Sequence, residues 1–193
     1  AALIKPNTSL GKAEPGDLGE VPLGTYTGTE HGTSHITVAD KYGNVASMTT
    51  TVESAFGSFH MVDGFILNNQ LTDFSAEPRD DSGQLLANRV SPGKRPRSSM
   101  APTLVMQPGT NGSPDTLTAA LGSPGGAVII QFVVKTLVGM LDWKLNPQQA
   151  VSMIDFGTAN TPTSNVGGEH PLVNTANDGA DDPLVKGLRE RRE

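Results

Sequence analysis

The chain has 193 residues, the length of one ordinary domain or of one subunit of something larger. Lysine and arginine number 14 against 20 aspartates and glutamates, a net charge of −6, which argues against nucleic acid as a main partner because phosphate binding requires a basic surface. A hydrophobic fraction of 36% argues against wholesale disorder, and the absence of cysteine excludes a disulfide framework, a thiolate metal site and a cysteine nucleophile.

Residues 1–32 are rich in Gly, Pro and Thr without a clear period and read as a linker or extended arm. The opening AALIKPNTSLGK lacks a charged-then-apolar signal pattern, and the chain reads as cut from something longer at both ends. HITVAD and NVASMTTTV are β-rich runs separated by Lys41-Tyr42-Gly43, a loop whose glycine suits a three-residue hairpin. If Asp40 and Asn44 close that loop, Thr33 lies opposite Thr51 and His35 opposite Thr49. GFILNN, at 64–69, is a third strand candidate, and Ala76 to Pro92 is a long loop of the kind that serves as a lid or binding loop. TLVMQ and DTLTAAL flank PGTNGSP as a second hairpin. GGAVIIQFVVKTLVGMLDWK follows as a helix, apolar on most faces and so expected to be buried between layers. Asn146-Pro147-Gln148-Gln149 opens another helix with a capping-box pattern, residues 155–180 are rich in turns, and Asp182-Pro183 starts a last helix. The longest uncharged apolar stretch, Ala127 to Val134, is far short of the roughly 20 residues that a membrane span needs. Hairpins followed by helices predict an α+β layered fold rather than a doubly wound one.

Several constellations carry possible chemistry. Two hydroxyls side by side, Thr33 and Thr51, can hydrogen-bond, and Thr33 follows His31-Gly32, a small-residue site where the chain could be cut. A threonine at a new N-terminus carries its own base, the α-amine. A threonine pair across a hairpin is equally an ordinary cross-strand contact. GSPGG, at 122–126, exposes backbone N–H groups between a strand and a helix, either as an oxyanion site or as a tight turn that needs glycine. Ser98 and Ser99 beside Lys94, Arg95 and Arg97 can hold a carboxylate or form a solvated basic loop. Gln70 and Asp73, just past a strand end, can receive an ammonium or simply cap a turn. His31, His35, His60 and His170 lack metal-ligand spacing, so no metal is expected. GSPGG is not GxGxxG and no GxxxxGK[ST] occurs, so no nucleotide cofactor is expected either, and no GxSxG elbow supports a serine triad.

TSHITVADKYGNVASMTTTVESAFGS, GFILNNQLTDFS, KRPRSSMAPT and GSPGG, in that order, resemble the small catalytic subunit of γ-glutamyltranspeptidases. The likeness runs from about Thr33 to Leu145. It implies an N-terminal-nucleophile hydrolase with a four-layer αββα sandwich, of which this chain holds the small-subunit part: residues 1–32 as the end of the large subunit and 33–193 as a truncated small subunit. It implies self-cleavage between Gly32 and Thr33, then transfer of a γ-glutamyl group to water, an amino acid or a peptide, without a cofactor. Thr33 is then the nucleophile and Thr51 its partner. Gly125 and Gly126 form the oxyanion hole, Gln70 and Asp73 meet the substrate α-amino group, and Ser98 and Ser99 meet the α-carboxylate. Glu53 stands where many members carry Asn and can still contact the ammonium, and residues 76–92 correspond to a divergent lid region. The resemblance implies a periplasmic or extracellular setting and a large subunit from the same precursor that supplies an Arg for the substrate carboxylate. On this reading the fragment alone is inactive and prone to self-association through uncovered apolar surface. The alternatives are a glutaryl or cephalosporin-type acylase of the same superfamily and a non-catalytic assembly piece.

Overall fold

A computed structural model describes residues 32–157, 165–167, 174 and 176–191. The arm expected at 1–32 lies outside the described residues except for Gly32, as do His31 and His170. The chain divides into two compact units, with the boundary between Val133 and Val134.

In the unit that ends at Val133, β1 (Thr33–Ala39) and β2 (Val45–Thr51) pair antiparallel, with Thr33 opposite Thr51 and His35 opposite Thr49 as the loop count predicts. Asp40 dictates this register. Its amide donates to Asn44 O at 3.0 Å, while its carboxylate accepts from the amides of Tyr42 and Asn44 and from the Asn44 side chain. The Asn44 side chain is the largest cause that holds the Asp40 carboxyl below the usual carboxylate range. Gly43, at φ +87°, takes the left-handed position of the loop.

Alternation then sorts the hairpin into two faces. Thr33, His35, Ser47, Thr49 and Thr51 are half-buried, whereas Ile36, Val38 and Met48 on the opposite face are exposed. This reverses the usual arrangement, because the polar row faces inward.

β3 (Met61–Val62) and β4 (Phe65–Ile66) make a minimal hairpin. The strand expected over 64–69 therefore shrinks to two residues, because Asn68 and Asn69 lead into a 3-10 turn over Gln70–Asp73. Residues 76–92 have no regular element but are pinned by isolated bridges, Ser75 to Arg89 and Arg79 to Leu85. β5 (Thr103–Gln107) and β6 (Thr116–Leu121) form the second expected hairpin, with a bulge at Val105/Met106.

A 3-10 turn over Gly126–Val128 leads into α1 (Ile129–Leu141). The helix starts later than Gly125 because Gly125 and Gly126, at φ +135° and +57°, are not α-helical. It is also not buried between layers as its composition suggests: Ile129 and Val133 are buried, but Ile130, Val134 and Leu141 are exposed. Ile129 and Val133, four residues apart, form one buried stripe, and Lys135 and Gly139, also four apart, form a second on another face.

In the other unit, α2 (Pro147–Val151) opens with the expected capping box: Asn146 accepts from the Gln149 amide while the Gln149 side chain accepts from the Asn146 amide. Ala150 is fully buried, and a Cβ on Gly139 would approach its Cβ to 3.2 Å. Buried Lys135 is satisfied by Asp155 at 2.6 Å and the Met153 carbonyl at 2.9 Å. β7 (Phe156–Gly157) and β8 (Asn165–Val166) pair briefly, and α3 (Pro183–Glu190) is capped by Asp182, as its sequence predicts. No helix among the described residues is long and apolar enough to cross a membrane.

One glycine has a specific packing role. Gly57 is buried at φ +51°, and a Cβ there would sit 2.2 Å from Leu67 O, a carbonyl that accepts from the Ser58 amide. Gly64, at φ +84°, has open space around it. Gly57→Ala should lower the urea midpoint much more than Gly64→Ala, whose cost is the left-handed strain of about 1–2 kcal/mol. Equal midpoint shifts for the two variants would show that the Leu67 contact yields without cost.

Candidate active site

Thr33 Oγ1 donates to Thr51 Oγ1 at 3.0 Å. The hairpin explains why they meet. Asp40 and Asn44 form the hydrogen-bonded pair at the loop, so alternation makes Thr33–Thr51 a non-hydrogen-bonded pair, the type whose side chains stand closer. Thr51 Oγ1 also accepts from the Glu53 amide at 2.9 Å and lies 3.5 Å from the Gly32 carbonyl, toward which its own proton points. Two accepted bonds and one donated bond fill the capacity of that hydroxyl. The Thr33 hydroxyl proton is thereby directed at Thr51.

The acidic side of the site hangs from the end of β2. Asn69 ties the strand end to the 3-10 turn: its amide donates to Val52 O at 3.3 Å, and its Oδ1 accepts from the Ser54 amide and hydroxyl at 3.1 and 2.9 Å. This clamp sets Gln70 and Asp73 beside Glu53. Glu53 adopts φ +71°, uncommon for a side-chain-bearing residue, and is buried, as is Asp73. Thr72 Oγ1 reaches the Glu53 carboxylate at 3.5 Å. Gln70 Nε2 donates to Asp73 Oδ2, whereas Asp73 Oδ1 is buried without a hydrogen-bond partner among the described residues. Burial is the main cause that pushes the Asp73 carboxyl above the usual range; Glu53 adds to it, while Gln70 and Arg97 oppose it.

One cavity is lined by Thr33, Thr51, Glu53, Gln70, Asp73, Ser98, Ser99, Met100 and Ile129. Seven of the residues singled out in the sequence thus converge, although they span positions 33 to 99. Gly125 and Gly126 do not line it. They precede the helix whose Ile129 does, and a Cβ on Gly125 would lie 3.6 Å from the Ile129 side chain and 2.7 Å from the Phe132 ring. No group of three or more His, Asp or Glu suited to a metal occurs among the described residues.

Several supporting residues were not singled out. His35 Nδ1 lies 2.9 Å from Thr49 Oγ1, and its Nε2 lies 3.1 and 3.3 Å from Thr37 and Ser47. A Cβ on Gly122 would fall 2.3 Å from the His35 ring, so the first glycine of GSPGG is needed for this close approach. The i, i+2 spacing of Thr33, His35 and Thr37 was the available signal. Asn88 Nδ2 donates to Asp73 O at 2.7 Å, and its Oδ1 accepts from the Arg97 amide at 3.0 Å. Met100 and Ile129 supply apolar wall, for which local sequence carries no signal.

The family model described as Gamma-glutamyltranspeptidase matches residues 1–192. The chain is 45% identical over 121 residues to the glutathione hydrolase proenzyme of Bacillus subtilis, covering 62% of this chain and 19% of that protein. It is 35% identical over 163 residues to the Escherichia coli glutathione hydrolase proenzyme, covering 81% and 27%. The chain therefore spans about a fifth to a quarter of the length of these curated relatives. Among solved structures, it resembles a highly active mutant of gamma-glutamyltranspeptidase from Pseudomonas nitroreducens, with a TM-score of 0.61, 30% identity and coverage of 80% and 78%. It also resembles a mutant gamma-glutamyltranspeptidase of Helicobacter pylori, with a TM-score of 0.53, 37% identity and coverage of 64% and 67%. With that family match across almost all of its length and that likeness to the solved folds, the chain belongs to the gamma-glutamyltranspeptidase family and carries part of its N-terminal-nucleophile hydrolase fold.

Proposed function

We propose that the longer protein to which this sequence corresponds cleaves itself between Gly32 and Thr33 and then transfers γ-glutamyl groups from γ-glutamyl amides to water, amino acids or peptides. One observation carries this reading: the Thr33–Thr51 hydroxyl pair shares a cavity with two carboxylates, Glu53 and Asp73, and two serines, Ser98 and Ser99. An α-amino acid head group has complementary chemistry, an ammonium and a carboxylate on one carbon. Asp73 Oδ1, buried and unpartnered, is an acceptor suited to that ammonium, and the serine hydroxyls are donors suited to the carboxylate.

In self-cleavage, the Thr33 hydroxyl attacks the Gly32 carbonyl carbon, and the Thr51 hydroxyl, 3.5 Å from that carbonyl oxygen, is oriented to polarise it. The Gly32–Thr33 C–N bond then breaks as the hydroxyl proton passes to the Thr33 nitrogen, which leaves an ester on Oγ1 and a free α-amine; hydrolysis of that ester releases the Gly32 carboxylate and restores the Thr33 hydroxyl. In turnover, that amine accepts the hydroxyl proton as Thr33 Oγ1 bonds to the γ-carbonyl carbon, and the leaving amine departs with a proton. The acyl-enzyme is then opened by water or by an acceptor amine, and the proton returns to Thr33. The Gly125 and Gly126 amides are assigned to the oxyanion by resemblance. The exposed Ile36, Val38 and Met48 face is assigned to packing against the large subunit of the same precursor. The fragment alone is then inactive and self-associates through this face.

A glutaryl-type acylase is the competing reading, since it needs the carboxylate-binding serines but not the ammonium site. The two separate by comparing γ-glutamyl and glutaryl anilides on the full-length precursor.

Thr33→Ala in that precursor should abolish both self-cleavage and turnover, whereas Thr51→Ala should slow both while the fold persists. Gel bands and anilide hydrolysis measure this, and a Thr33→Ala protein that still splits would remove Thr33 from its role. Asp73→Ala should cost γ-glutamyl donors about 1.5–3 kcal/mol in kcat/KM, the value of a charge-assisted contact, and glutaryl donors little. Equal losses on both donors would favour the acylase.

The pH dependence follows from Asp73. Its pKa is raised mainly by burial, so the ionised form that holds an ammonium is present above that raised value and is lost as pH falls through it. The acid limb of kcat/KM for γ-glutamyl donors should therefore lie above the ordinary carboxylate range. Glu53→Gln removes one cause of the rise and should move the limb to lower pH; an unmoved limb would assign it to another group.

A further inference from the structure

We propose that Asn88 is a positioning residue that fixes the spacing between the two arms of the donor site and so sets selectivity for an α-amino acid head group. This rests on the γ-glutamyl reading above. Asn88 lies in the 76–92 segment and does not line the cavity. Its side chain nonetheless bonds to both arms. Nδ2 donates to the carbonyl of Asp73, the ammonium arm, at 2.7 Å. Oδ1 accepts from the amide of Arg97, the residue before Ser98 on the carboxylate arm, at 3.0 Å. Its own carbonyl accepts from the Ser75 amide at 2.9 Å.

The two side-chain partners differ in kind. One is a carbonyl, which only accepts, and the other is an N–H, which only donates. A planar amide meets both at once, and this also fixes which end is oxygen and which is nitrogen. Aspartate has the same shape but would face the Asp73 carbonyl with an acceptor. Leucine has similar bulk and would make neither bond. The arms come from segments 24 residues apart at Asp73 and Arg97, and among the described contacts Asn88 is the side chain that bonds to both backbones. Binding sites lose selectivity when fixed groups shift by fractions of an ångström, because a ligand with two charges on one carbon has no slack to follow them.

A purely structural role would lower activity on every donor alike. A positioning role raises KM for γ-glutamyl anilide, leaves kcat within about threefold, and lowers the preference for γ-glutamyl over glutaryl anilide roughly tenfold, the scale expected for losing a hydrogen bond at a site that depends on it. The experiment uses the processed full-length precursor carrying Asn88→Asp and Asn88→Leu, each also combined with Asp73→Ala. Amide hydrogen exchange at Arg97 provides a readout independent of turnover.

The expected result is a raised KM and a collapsed donor preference in both single variants, faster Arg97 exchange, and less than a twofold further change in preference when Asp73 is already Ala. An unchanged KM and preference in Asn88→Asp, an equal loss of kcat on both donors, or unchanged Arg97 exchange would overturn the assignment. If Asn88→Leu fails to fold, Asn88→Asp decides. A wild-type enzyme with no preference between the two donors would overturn the γ-glutamyl reading and the selectivity claim with it; a clear wild-type preference that survives in Asn88→Asp would overturn the Asn88 claim alone.

Discussion

The contact between the hydroxyls of Thr33 and Thr51 depends on a turn at the far end of their hairpin. Asp40 folds its carboxylate over the loop, Gly43 supplies the left-handed residue, and the pairing of Asp40 with Asn44 fixes every pair down to Thr33 and Thr51. A slip of one residue would put the two threonines on opposite faces. The rest of the site is built outward from this contact. Thr51 holds the Glu53 amide, Asn69 binds the end of β2 to the turn carrying Asp73, and Asn88 binds Asp73 to the serine-bearing segment.

The electrostatics of the cavity are uneven by construction. Two carboxylates share one side, and burial leaves Asp73 with one oxygen unpartnered. Such an arrangement is unfavourable alone, which is why the Asp73 carboxyl is pushed upward. A cation placed between the carboxylates would offset both the desolvation and the mutual repulsion. The serines that line the same cavity carry no charge and can donate to an anion without competing for that cation.

The inverted hairpin is informative about packing. Its inward row is Thr, His and Ser with Val45 at the loop end, and its outward row includes Ile36, Val38 and Met48. Folding alone would favour the opposite orientation, because apolar burial is the main driving force. That polar row is satisfied in part by its own cross-strand contacts, Thr33 to Thr51 and His35 to Thr49. His35 shows how this row is reconciled with burial: both ring nitrogens lie near hydroxyls, and Gly122 lets the backbone approach the ring.

Local chemistry in the sequence determined the register of the first hairpin, the second hairpin, the capping box at Asn146 and the Asp182 cap, because each depends on residues within a few positions of one another. The threonine pair followed from that register by counting. Motif order pointed to the remaining candidate residues, but their convergence depends on contacts that the chain makes only once folded. Residue spacing could not show that Asn69 would draw Asp73 to the end of β2, or that Asn88 would join segments on either side of an irregular loop. The extent of α1 and the exposure of Ile130, Val134 and Leu141 along it were likewise tertiary outcomes, since composition records how apolar a helix is and not which neighbours are present to cover it.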